Sequence, residues 1–181
     1  MMRYRIRYIV LMAVLFLVGL ALLWIIHGNA KTRAIEELNG RQLLHGRQAA
    51  SGIENEIQHF KSLLHALAKN RHVVTLDPAG KILLEEFFNA HADELSTLSL
   101  VDREGRIVHA VPYDRSIVGR NISNFEHVQA VRQMRQPFVS DVFTNLRGVK
   151  SISIHVPVFR SDLFDGSVAI TIPFDRLARK Y

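Results

Sequence analysis

His155 stands in the run Ser151-Ile-Ser153-Ile-His155-Val-Pro157-Val158, where polar and apolar residues alternate. Alternate side chains of a strand share a face, so the imidazole points the same way as the hydroxyls of Ser151 and Ser153. Such a group could bind an acid or report pH, because histidine changes charge close to neutrality. A surface histidine satisfied by water is the plainer alternative. His109, within Arg106–Val111, could add a second imidazole, although strand-to-strand proximity is not encoded in spacing. Arg120, Arg132 and Arg135 surround a segment of helical composition, where any one could meet an anion at a helix terminus or simply be solvated. Ser140 and Asp141 open a further strand segment, in which Asp141 could bind a ligand or stabilise a turn.

The residue types present narrow the chemistry. The histidines lack an i, i+4 partner or a nearby carboxylate motif, so neither a metal nor any other cofactor is expected. The chain has no cysteine, which excludes thiol chemistry and Cys-ligated zinc. No G-x-S-x-G elbow, P-loop, H-E-x-x-H or nucleotide fingerprint occurs, and no enzymatic activity is expected. The formal charge of +6 falls to +3 once Arg3, Arg5 and Arg7 are set aside (6 − 3). The remaining charge is scattered, without a basic run or an aromatic-interleaved stripe, so nucleic acid is not an expected partner.

Positioning these residues falls to a mixed set of elements. Ile53, Ile57, Phe60, Leu64 and Leu67 step by four and three, predicting one face of a long helix over residues 28–76. That face could pack on the domain or form a coiled coil. Asp77-Pro78-Ala79-Gly80 predicts a turn, and Ile82, Leu83, Phe87 and Phe88 an apolar helix side reaching about Asp93. The period then becomes two: Leu98 and Leu100 alternate with Thr97 and Ser99, and Asp102-Arg103-Glu104-Gly105 supplies a hairpin turn before Arg106–Val111. Pro112–Ser123 reads as irregular and Asn124–Gln133 as helical. Three strands follow at Phe138–Phe143, Val149–Val158 and Ser167–Ile172, and a closing helix ends near Lys180. The expected class is α+β: a five-stranded antiparallel sheet with flanking helices. One sheet face is aliphatic; the other is small and polar, suiting solvent or a ligand pocket.

Upstream, the 19 residues Tyr8–Ile26 carry neither charge nor proline. At about 1.5 Å per helical residue they just cross a hydrocarbon core of roughly 30 Å. Three arginines and no acid precede them, so residues 1–7 are expected in the cytoplasm, residues 8–27 as a single-pass anchor in the lipid bilayer of the inner membrane, and the rest outside the cytoplasm. A cleaved signal peptide is the alternative, with Gly28-Asn29-Ala30 as its small residues; an apolar run longer than about 7–15 residues favours the anchor.

Several fragments in order carry a resemblance: Leu98-x-Leu-Val-Asp-x-x-Gly105-Arg-Ile-Val, Ile117-Val-Gly119-x-Asn-Ile-Ser123, Val139-Ser-Asp-Val-Phe143, Ile152-x-Ile-x-Val-Pro157-Val, Asp165-Gly166-Ser-Val-Ala-Ile-Thr-Ile and Leu177. From about Phe60 to Leu177 the chain resembles the extracytoplasmic Cache domain, the PAS-like sensor module of bacterial receptors, with residues 77–181 as the sensor domain proper. The resemblance implies a small extracytoplasmic ligand and homodimerisation through the long helix. It also implies an output module of chemoreceptor, histidine-kinase or diguanylate-cyclase type. Relatives that bind amino acids hold the carboxylate with an arginine and the ammonium with aromatics after a G-x-x-x-S segment. In that alignment Phe125 takes the arginine's place, His127 and Val128 those of the aromatics, and Asn145 that of a later acid. A phenyl ring cannot replace a guanidinium fork, so amino-acid recognition of that type is not expected. The expected ligand-contacting set is His109, Arg120, His127, Ser140, Asp141, Ser153 and His155. Because no second apolar run or output domain precedes Tyr181, the expectation is a truncated sensory receptor. A ligand-free interaction module that pairs with another membrane receptor and a secreted binding protein are the alternatives.

Overall fold

The structure, a computed structural model, describes residues 12, 15–20, 24, 44 and 46–180. The chain divides into two units, Met1–Ala50 and Ser51–Tyr181. In the first, residues 15–20 and 46–50 are helical. Most of the expected anchor and all of the basic N-terminus lie outside the described residues. Among the described residues no helix is long and apolar enough to cross a membrane.

The second unit begins with helix α1 over residues 51–69. Its four-and-three stripe packs on the domain: Phe60 and Leu64 are fully buried, Leu67 and Ala68 nearly so, and Ile53 and Ile57 lie against the same core. The helix expected to reach Leu76 instead breaks at Asn70. The Asn70 side chain accepts from the His72 amide and starts a separate short helix, α2 (Arg71–Thr75), which Leu76 closes in the left-handed conformation. Asp77 then caps α3 (Pro78–Ala90), accepting from the Gly80 amide at 3.0 Å with proline at the helix start. A Cβ on Gly80 would meet the His72 carbonyl oxygen, so glycine is what lets α2 and α3 touch. Leu84 and Phe88 are buried, whereas Ile82, expected on the apolar side, is exposed.

The strands are β1 (Thr97–Asp102), β2 (Ile107–Val111), β3 (Phe138–Val139), β4 (Phe143–Thr144), β5 (Lys150–Arg160) and β6 (Leu163–Pro173); α4 (Glu126–Met134) precedes β3 and α5 (Phe174–Lys180) ends the chain. The sheet runs β2-β1-β6-β5-β3, entirely antiparallel, with β4 also on β5. The α+β sheet is as expected, except that the third strand is split. Val139 pairs with Ile154 and Phe143 with Ser151, so four steps on one side match three on the other. One extra residue bulges there, where the Ser140 amide donates to the Ser153 carbonyl and the Ser140 hydroxyl accepts from the Ser153 amide, both at 2.8 Å. The last hairpin is tighter than expected. Ser161 and Asp162, both at positive φ, connect Arg160 directly to Leu163.

Both sheet faces are covered, which is why Ser151–Val158 is buried without interruption. Ile152, Ile154, Val156, Val158, Val168, Ile170 and Ile172 pack with α1, α2 and α3. On the opposite face the segment Pro112–Phe125 and α4 form a roof, with a second core of Val101, Ile107, Ala110, Ile117, Ile122 and Val128.

Candidate functional site

The period-two pattern that sends β5's aliphatic residues to the helices sends Ser151, Ser153 and His155 under the roof. Thr97 and Ser99 of β1 and Thr171 of β6 join them on that face, because Ser99 pairs with Ala169 and Ser153 with Thr171. The roof supplies Ile117, Ile122, Phe125 and His127, and Phe143, Asn145, Leu146 and Arg147 come from the β4–β5 edge. Together with Ile107 these residues line a cavity of about 60 Å³. Its floor is hydroxylic and its upper wall apolar.

The aromatic part is a four-ring group. His127 lies 5.0 Å from His155, 4.6 Å from Phe143 and 5.4 Å from Phe125 between ring centroids, and Phe125 meets Phe143 edge-on at 5.6 Å. Both imidazoles are almost fully buried. Desolvation pushes His127 down from 6.5 to about 4. Desolvation, and secondly the neighbouring His127, push His155 down to about 3. Both rings are therefore neutral near pH 7. His155 Nδ1 is 3.1 Å from Ser167 Oγ, which orients the ring, and Ser153 Oγ donates to the Ile170 carbonyl at 2.8 Å.

One guanidinium reaches the wall, and it is already engaged. Arg147 donates through Nη2 at 2.9 Å and Nε at 3.2 Å to Asp114 Oδ2. Asp114 in turn accepts from the Ser116 hydroxyl and amide, and these bonds, together with Arg147, hold its carboxyl below the usual range. Asn145 braces the same turn, accepting from the amides of Arg147 and Val149 and donating to Ser151 Oγ at 3.1 Å.

Of the seven expected contacts, His127, Ser153 and His155 meet in this cavity. Ser140 and Asp141 lie in a separate groove that shares Phe125, His127 and Phe143 with it. The Ser140 hydroxyl is occupied by the strand bulge, and Asp141 is exposed. Arg120 is exposed and does not line the cavity. His109 is on the wrong side of the sheet: it pairs with Leu100, a residue of the helix-facing core. Burial and Lys81 of α3 lower its pKa, opposed by Glu85, and its Nε2 has no hydrogen-bond partner. Thr97, Ser99 and Thr171 were signalled by strand alternation. Ile117, Leu146 and Arg147 had no such signal, because irregular segments carry no period.

No group of three or more histidine or acidic side chains that could hold a metal ion occurs among the described residues. Two neutral imidazoles, hydroxyls and an apolar wall offer hydrogen bonds and dispersion, the kind of lining that suits small molecules.

No curated protein matches the chain. Among solved structures, it resembles the ligand-binding domain of the Pseudomonas fluorescens chemoreceptor CtaA in complex with L-serine, with a TM-score of 0.65, 17% identity, and coverage of 80% of this chain and 63% of that one. The ligand-binding domain of the Pseudomonas aeruginosa PAO1 amino acid chemoreceptor PctC in complex with GABA gives a TM-score of 0.60 and 19% identity, covering 73% and 62%. An extracellular ligand binding receptor from Desulfohalobium retbaense gives 0.58 and 24%, covering 70% of this chain and 25% of its own. The chain thus spans less than two thirds of each of these, and the likeness shows the fold, that of Cache-like extracellular sensor domains. Residues 56–173, well over half the chain, match the family described as HK/GC/Chemotaxis protein-like, sensor domain. This chain belongs to that sensor-domain family.

Proposed function

We propose that this domain faces the periplasm, tethered by the Tyr8–Ile26 segment, and senses a small molecule in the cavity between sheet and roof. It performs no catalysis of its own. The observation that carries this reading is the roofed cavity itself. A sheet face that could have been packed solid instead leaves room beside Ser99, Ser153, Thr171 and two buried imidazoles. A cavity of about 60 Å³ is well above the roughly 10–15 Å³ that a single water needs, so it admits water or a small ligand. The roof segment and the Arg147–Asp114 contact enclose the ligand, so occupancy would favour one packing of roof on sheet over another. Pairing of two copies through α1 belongs to the same proposal.

The test is a thermal-shift screen of the full chain in lipid nanodiscs against short carboxylates, amines, amides, sugars and purines. A ligand at 100 times its dissociation constant adds about 2.7 kcal/mol of stability. Loss of the shift in a Thr171→Val variant places the ligand in the cavity. A panel with no shift, or a shift indifferent to Thr171, removes the sensing reading.

A further inference from the structure

Resting on the cavity as a ligand site, we infer that its ligand is a small uncharged molecule, a short amide, alcohol or carbonyl compound, and not a zwitterion or carboxylate. The lining contains no aspartate or glutamate, so no carboxylate there balances the charge of an ammonium group. Its sole guanidinium, Arg147, is fixed on Asp114, which Ser116 holds in place through two further hydrogen bonds. Asp114 already balances the charge of that guanidinium, so an anion in the cavity would add a charge without a counter-charge of its own, and such a buried charge is far costlier than a buried polar group that finds a hydrogen bond. The two imidazoles face each other at 5.0 Å beneath Phe125 and Phe143, where a charge on either would be desolvated. The floor, by contrast, suits a neutral polar group. Ser99 and Thr171 lie near the centre of the sheet, and Ser153 Oγ, donating to Ile170, keeps its lone pairs for a ligand N–H or O–H. An amide or hydroxyl placed on that floor directs its alkyl end to the isoleucine and phenylalanine wall.

The experiment uses three near-isosteres, propionamide, propionate and propylammonium, together with GABA and L-serine. Each is titrated into the full chain in nanodiscs by ligand-observed NMR. Propionamide should bind at least about tenfold more tightly than either charged isostere, the ratio set by leaving a charge without a partner. Thr171→Val, which removes a hydroxyl and keeps the shape, should weaken propionamide by about tenfold. Ser99→Ala repeats the test where the first variant folds poorly. If propionate, GABA or L-serine binds as tightly as propionamide and competes with it, the cavity remains a sensing site and the neutral-ligand inference is wrong. If propionamide binds equally well to both variants, or not at all, the inference is also overturned. Binding of any other probe then decides separately whether the cavity senses anything.

Discussion

His155 is neutral in the fold because water cannot reach it, whereas in the unfolded chain it titrates normally. Its folded pKa of about 3 lies below the unfolded 6.5, and that of His127, about 4, does too. Between those values the unfolded state binds more protons, so stability is full above about pH 6.5 and falls as the pH drops. At pH 5 each ring should have removed about 2 kcal/mol, from roughly 1.4 kcal/mol per pH unit. Urea midpoints from pH 8 to 5 measure this directly. His155→Phe should flatten the curve, and an unchanged slope in that variant would count against a buried neutral imidazole. The sequence showed His155, Ser153 and the alternation that aims them together, because a period of two is local information. It did not show that His109 faces the helices. That depends on the register Leu100↔His109 and on the shift between Leu100 and Val101, which tertiary packing sets.

At the scale of elements, the instructive case is the strand expected over Phe138–Phe143. Its residues suit a strand, but the edge of the sheet accepts two short pieces with Ser140 between them. Ser140 makes two bonds to Ser153, with its amide and with its side-chain oxygen replacing a backbone acceptor. The serine is thus part of the ladder and not a ligand contact, which local pattern could not distinguish. The bulge also helps to set Phe143 against His127. Ser140→Ala would leave the buried Ser153 amide without its acceptor, at a cost of about 1–3 kcal/mol. Chemical denaturation should show that loss, and amide exchange at Ser153 should accelerate. Ser140→Thr, which keeps the oxygen, should recover most of it. Equal losses in both variants would mean that volume, not the hydrogen bond, decides the site.

Across the whole domain, the two ends of the unit are brought together by polar contacts. Lys180, in the last turn of α5, donates to Glu94 at 2.7 Å and to Glu56 of α1 at 3.1 Å; the two carboxylates hold its ammonium pKa above the ordinary value. Arg176 adds bonds to the carbonyls of Ala92 and Leu95, while Leu177 supplies the buried anchor of α5. A seven-residue helix has little stability of its own, so these contacts decide whether its final turn stays docked. Lys180 is about half exposed, and its share is correspondingly modest. Lys180→Glu places a third carboxylate beside Glu56 and Glu94, replacing attraction with repulsion, which salt should partly relieve. Amide exchange over residues 174–180 should therefore speed up several-fold at low ionic strength. That excess should shrink at about 1 M salt, where screening acts within roughly 3 Å. The central β5–β6 hairpin, held by its own ladder, should remain protected. Unchanged exchange over residues 174–180 would mean that Arg176 and Leu177 alone dock α5. In that case the link between the first and last helices of the domain would run through its apolar core.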